Sequence, residues 1–178
     1  MWRSENMDAI FQRRSIRKFK DEPINEEQLK TLLKAAMAAP NAFESNEWEF
    51  VVVQSEEGKK KIIAAQPYAR AAENAAAIII VCGNTKLEKN EPVLVQNCCA
   101  AIENILICAT ALNLGSLWLG AGGETITKLR QAFGIPEYVL PVGMVAVGHA
   151  AQVKPAHDRY FAEKVHFERF SRSATSLT

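Results

Sequence analysis

Three side chains within five residues could close on one anion. In the stretch RRSIRKFK, residues 13–20, Arg13, Ser15 and Arg17 recur at a spacing of two. An extended segment would point them to one side, with Arg14, Ile16 and Lys18 on the other. Two guanidinium forks flanking a hydroxyl make a clamp for a phosphate dianion. A plain solvated basic face is the competing reading. A nucleic-acid backbone would call for a wider basic surface, aromatic platforms or a recognisable module, and the rest of the chain offers none. The net charge of +1 over 178 residues likewise argues against a nucleic-acid partner.

A second candidate is the glycine-rich GSLWLGAGGE, which ends at Glu124. It matches neither GxGxxG nor GxxxxGK[ST]. It reads either as a flexible turn or as backbone that approaches a flat ligand closely. Nucleophile chemistry finds no support: there is no GxSxG, and no serine or cysteine stands beside a base in sequence. No catalytic side chain is therefore assigned. Cys82, Cys98, Cys99 and Cys108 form no CxxC pair, and His149, His157 and His166 lack ligand spacing, so no metal site is expected. Free core thiols point to a reducing cytoplasm.

These residues need elements to position them. A short helix is expected before the basic stretch. NEEQLKTLLKAAMAAP reads as a helix with Asn25 as N-cap, Gln28 completing a capping box, and Pro40 stopping it. EFVVVQ and AIIIVCG read as strands, the second buried on both faces. EEGKKKIIAAQ reads as a helix with one solvated side. A long helix follows, over about residues 93–113, closed by Gly115. SLWLG is a short strand or turn. TITKLRQAFG is an amphipathic helix, and VLPVGMVAVGH a strand interrupted by Gly143. From Cys98 to Leu112 the long helix carries one formal charge, Glu103. Such a helix must be covered on every side, which implies homodimerisation through it. Its Gln96, Asn97, Asn104 and Asn113 argue against a bilayer span, and the charged N-terminus against a secretory signal. The alternation gives an α+β class, a mixed α/β sandwich with a small mixed sheet. Residues 1–170 read as one domain and residues 171–178 as a polar, loose tail.

In order along the chain, RRSIRKF, LLKAAMAAPNAFESNEWEFVVV, VQNCCAAIENILICATALNLGSLWLG and PEYVLPVGMVAVGHAAQVKP, followed by Arg159 and KVHFERF, resemble the FMN-dependent nitroreductase family. The resemblance runs from about Met7 to Phe170. It implies a homodimer with FMN at the subunit interface, NADH or NADPH as co-substrate, and a small electron-poor aromatic acceptor such as a nitroaromatic or quinone. It assigns Arg13, Arg14, Ser15, Arg17 and Arg159 to the phosphate or nearby flavin atoms. Pro40, Asn41 and Ala42 would come from the other subunit and lie against the flavin. Asn46 stands where the family has a glutamine, and Gly120 and Ala121 would bring backbone near the ring. Glu44 and Glu47 replace asparagine and proline, so two carboxylates would either repel the phosphate or reduced flavin, or point to solvent. His157 stands near a common lysine, which would shift the clamp onto Arg13, Arg17 and Arg159. The segment after Gly120 is about two residues shorter than in relatives and carries Gly122 and Gly123, which alters the wall over the flavin. The alternative implied is a family member that binds FMN or another planar ligand with weak or no turnover.

Overall fold

The structure, a computed structural model, describes residues 8–157 and 159–170; the tail expected at 171–178 lies outside them. Nine regular elements follow one another: α1 (Asp8–Gln12), α2 (Glu26–Met37), β1 (Trp48–Val53), α3 (Glu56–Ala65), β2 (Ala77–Asn84), α4 (Glu91–Ala111), β3 (Gly115–Gly120), α5 (Glu124–Phe133) and β4 (Val139–Gly148). Short 3-10 turns occupy Ala42–Glu44, Pro67–Ala72 and Ala162–Lys164.

The strands form one sheet in the order β1-β2-β4-β3. All three ladders are antiparallel. The α+β class holds, but the sheet is less mixed than the sequence suggests. Its one parallel pairing is an isolated bridge between Ser15 and Ser116. Alternation along β2 divides the core. Ile78, Ile80 and Cys82 face Ile62 of α3 and Leu129 of α5, whereas Ala77, Ile79 and Val81 face Leu32 of α2 and Leu94, Cys98 and Ile102 of α4. The result is three layers, with helices on both faces of a buried sheet.

Helix ends follow local chemistry. Asn25 and Gln28 make the expected reciprocal capping box on α2. The end of α4 differs from expectation. Asn113, at φ 58°, turns the chain left-handed, and Leu114 N–H closes back on Ala109 C=O at 2.8 Å. Asparagine tolerates this conformation. Gly115 instead opens β3, where an added Cβ would stand 2.9 Å from Ile16 Cγ2. The irregularity expected at Gly143 is a bulge beside it: pairing with β2 passes from Val81 opposite Gly143 to Cys82 opposite Pro141, leaving Val142 between them.

α4 is long and apolar enough to cross a membrane, yet 44% of its most apolar window is buried within this chain. Two helix-to-helix bonds help seat it: Asn104 Nδ2–H donates to Ala35 C=O at 3.0 Å, and Cys108 Sγ–H to Thr31 C=O at 3.9 Å.

Candidate functional site

The basic stretch is irregular, extended backbone pinned to the sheet at both ends. Ile16 N–H donates to Ser116 C=O at 2.8 Å, so the segment runs alongside β3, the edge strand. Further on, Lys20 N–H donates to His149 C=O and Ala151 N–H to Lys18 C=O, each at 2.9 Å. Ile16 and Phe19 are buried and anchor the segment to the core. A further tie comes from Lys154, whose Nζ donates to Ser15 C=O at 2.8 Å.

This pinning gathers positive charge around His157. Its pKa is held below the ordinary 6.5, first by partial loss of solvent and then by the charges of Arg14, Arg159, Arg13 and Lys154. The charges of four cations thus reach one imidazole. Among the described residues the carboxylate paired with them is Glu103 of α4, 3.8 Å from Arg13 Nε. Beside them, Arg14, Ile16, Thr110, Gln152 and Lys154 line an open cavity of about 450 Å³. Gln152 Nε2 is buried there without a hydrogen-bond partner. Arg13, Arg14 and Arg159 thus all act electrostatically on His157, and Ser15 is tied through its carbonyl to Lys154. Arg17 is exposed and is not among the charges that act on His157. Sequence reasoning missed Lys154. Its distance of 139 residues from Ser15 left no local signal.

The second group is the loop of residues 40–47. Phe43, Glu44 and Asn46 all have positive φ, at 60°, 51° and 48°. For Phe43 and Glu44 this carries a conformational cost of order 1–3 kcal/mol each, whereas asparagine tolerates it. The loop holds this shape around Glu47, which is fully buried. Neither expectation for Glu47 is met, because it turns inward. Its Oε2 accepts from Asn41 Nδ2 and from Ser45 Oγ at 2.7 Å. Its Oε1 accepts from Asn97 Nδ2 of α4 at 2.7 Å. Asn97 Oδ1 then accepts from Ala42 N–H at 3.4 Å. Glu44 is exposed, as is Pro40. Asn46 Nδ2 folds back onto Glu44 C=O at 2.8 Å, and Phe43 stands 91% exposed at the tip.

The third group is the end of β3. Gln66 Nε2 donates to Gly120 C=O at 3.2 Å, and Ala121 N–H to Val142 C=O at 3.4 Å. A Cβ added at Gly120, Gly122 or Gly123 would meet nothing within 4 Å, so the backbone here borders open space.

Within one chain the three groups stay apart. The basic segment begins beside Ser116 at one end of β3, and Gly120 closes the other, about 13 Å away at strand rise. The loop enters β1 at the opposite edge of the sheet, three strand spacings or about 14 Å from β3. Both loop and basic segment touch α4, at Asn97 and Glu103 respectively.

The cysteines stay outside any chemistry. All four are free. Burial pushes Cys82 up to about 12, with Glu49 adding and Arg130 opposing. Cys98 is raised further, by burial first and then by Glu47, Cys82 and Cys99. Neither is a thiolate nucleophile near neutral pH.

The three-layer α+β frame that carries the basic segment, the open glycine turn and the helix-anchored loop is shared with known proteins. The Nitroreductase family model matches residues 10–79 and 61–149. A relative from Archaeoglobus fulgidus, with the provisional name NADH dehydrogenase/NAD(P)H nitroreductase, is 38% identical over 93% of this chain and 99% of its own. The crystal structure of a provisionally named nitroreductase from Desulfovibrio desulfuricans in complex with FMN superposes with a TM-score of 0.82 at 30% identity, covering 95% of this chain and 99% of that one. An FMN-dependent nitroreductase from Clostridium difficile gives 0.83 at 27% identity, covering 91% and 98%. The chain belongs to the nitroreductase family.

Proposed function

We propose that this chain is a flavin-dependent NAD(P)H oxidoreductase that reduces a small electron-poor acceptor, a nitroaromatic, quinone or related ring. The observation that carries the reading is that Arg14 and Lys154 line one cavity with the unpartnered donor of Gln152, while Arg13 and Arg159 act electrostatically on the neighbouring His157. That donor set fits the phosphate of FMN: several cations, few countercharges, and an amide without a partner. The open ledge at Gly120–Gly123 fits the flat end, since a ring can lie against backbone that no side chain crowds. When bound, FMN would supply the redox chemistry, accepting hydride from NAD(P)H and passing two electrons to the acceptor.

The chain's own residues bind and orient. Arg14 and Arg159 would neutralise the phosphate, with Arg13 shared between it and Glu103. Ser15, its backbone held by Lys154, would add a hydroxyl. Gly120 and Ala121 would present backbone to the ring edge. Asn41, Ala42 and Asn46 would close the site from a second copy of the chain. The separation of the loop from the basic segment in one subunit supports this arrangement, as does the half-exposed face of α4. Exposed Tyr160, Phe161, Phe167 and Phe170 on the C-terminal segment also support a homodimer. A cytoplasmic site of action accords with the four free thiols.

The inward turn of Glu47 removes one motive for a non-catalytic binder, because its charge does not face the ligand. The test is anaerobic reduction of the purified, FMN-loaded protein. Bleaching of the flavin absorbance by NADH or NADPH, and recovery on adding a quinone or nitroaromatic, is expected. A bound flavin that neither nucleotide reduces would overturn the reductase reading in favour of a binder.

A further inference from the structure

Among the described residues, the carboxylate of Glu47 is the one buried charged group, and the proposed chemistry leaves it unused. Three donors converge on it, from Asn41, Ser45 and Asn97, and it is fully removed from solvent. A carboxylate accepts hydrogen bonds and donates none, so it decides the orientation of both amides. With Nδ2 of Asn97 turned to Glu47, Oδ1 of Asn97 faces the N–H of Ala42. With Nδ2 of Asn41 turned inward, Oδ1 of Asn41 faces the N–H of Asn46 at 3.4 Å. One side chain thereby sets the backbone on both sides of the 3-10 turn, and it does so against three positive φ angles.

We propose that Glu47 is a positioning residue: its carboxylate locks the residue 41–46 loop onto α4 in the shape that presents Asn41, Ala42 and Asn46 to the flavin. The inference rests on the flavin site proposed above. The loop shape is costly by itself, so it persists only where its surroundings impose it. Glu47 is adjacent to β1, and Asn97 lies in a well-packed helix, so both anchors are rigid. Glu47→Gln would place an NH2 group among donors. If Asn97 flipped to satisfy it, the N–H of Ala42 would lose its acceptor.

The test is a charge-direction swap. FMN and riboflavin affinities are measured by quenching of flavin fluorescence for wild type, Glu47→Gln, Asn97→Asp, and the double variant, with thermal unfolding of each apoprotein alongside. Glu47→Gln is expected to weaken both flavins about tenfold. The double variant restores the pattern, with an amide donating to a carboxylate, and should return to within about threefold of wild type. Asn97→Asp alone sets two carboxylates together and should bind at least as weakly as Glu47→Gln. Wild-type flavin affinity in Glu47→Gln, or a double variant no better than the single ones, would overturn the inference, whatever happens to the melting temperature. If Glu47→Gln does not fold, Ser45→Ala removes one donor at the rim. It is then expected to weaken both flavins by about threefold, and unchanged affinity would be equally fatal. A wild-type protein that binds no flavin would instead bring down the proposed function, and this inference with it.

Discussion

The basic segment and the residue 40–47 loop are expected to hold the same ligand, yet they are built on opposite principles. The segment is backbone pinned to a sheet edge, with long cationic side chains at a half-open surface. With loss of solvent first, the charges of Arg14 and Arg13, together with Arg159 and Lys154, hold the pKa of His157 below its ordinary value. The loop is short, polar and tied from within, with its one central charge fully buried and matched by three donors. The first region sets several cations against one paired carboxylate among the described residues, Glu103; the second is satisfied from within and by α4. If both hold the proposed ligand, the first would recognise charge and respond to salt and pH, and the second would recognise shape and respond to small changes in packing.

The comparison between FMN and riboflavin, which lacks the phosphate, separates the two regions. The largest effect is expected from Arg14→Ala, which should weaken FMN by about 100-fold while riboflavin changes little, since hydrogen bonds to charged groups are worth about 1.5–3 kcal/mol. Arg13→Ala should cost somewhat less, because Glu103 already shares that guanidinium, and Arg17→Ala least of the three. Equal losses for both flavins would break the comparison. Next comes Gly115→Val. Its Cβ would meet Ile16 Cγ2 at 2.9 Å, pushing the segment off the sheet. Urea unfolding should show a loss of about 1–3 kcal/mol, together with weaker FMN binding. Gly120→Ala should leave the melting temperature unchanged, because nothing lies within 4 Å of the new methyl. It should weaken both flavins severalfold if the ring lies on that ledge, by fluorescence titration.

The smallest effect concerns His157. Its pKa starts below 6.5, so it is neutral at neutral pH. A phosphate dianion among the same cations favours the protonated ring, so binding should raise that pKa. NMR titration of the His157 ring protons, with and without FMN, reads the shift directly. By linkage, His157 contributes a preference for the dianion that grows as pH falls from the bound pKa towards the lower free one. Above both values the contribution vanishes. The phosphate takes up its own second proton near pH ~6, which opposes the trend in bulk affinity. A bound pKa equal to the free one would separate His157 from the phosphate.

What the sequence disclosed divides along the same line. The capping box of α2 was legible because Asn25 and Gln28 lie three residues apart. The two-faced burial of β2 was legible because a continuous apolar run admits no solvated side. The end of α4 was misassigned by two residues, since glycine is the commoner left-handed residue but Asn113 took the role. The inward turn of Glu47 was not legible: Asn41 and Ser45 are local, but Asn97 lies 50 residues away, and only the fold shows that α4 passes beneath the loop. Lys154 was missed for the same reason. Residue types suggested a phosphate clamp, but which arginines would share it depends on long-range pairing: Arg13 and Arg14 act on His157, and Arg17 is exposed and does not.

The bridge between Ser15 and Ser116 has a consequence beyond ligand recognition. β3 is an outer strand, and an uncovered outer strand is a template on which another chain can add. Ser15 and Ile16, in the segment proposed to hold an anion, also cover that edge, through one main-chain bond to Ser116 and the fit of Ile16 over Gly115. Inheritance cannot vary one duty of that segment without touching the other. A substitution that loosens this cover would be felt first as aggregated protein in the growing cell, before any turnover could be assayed.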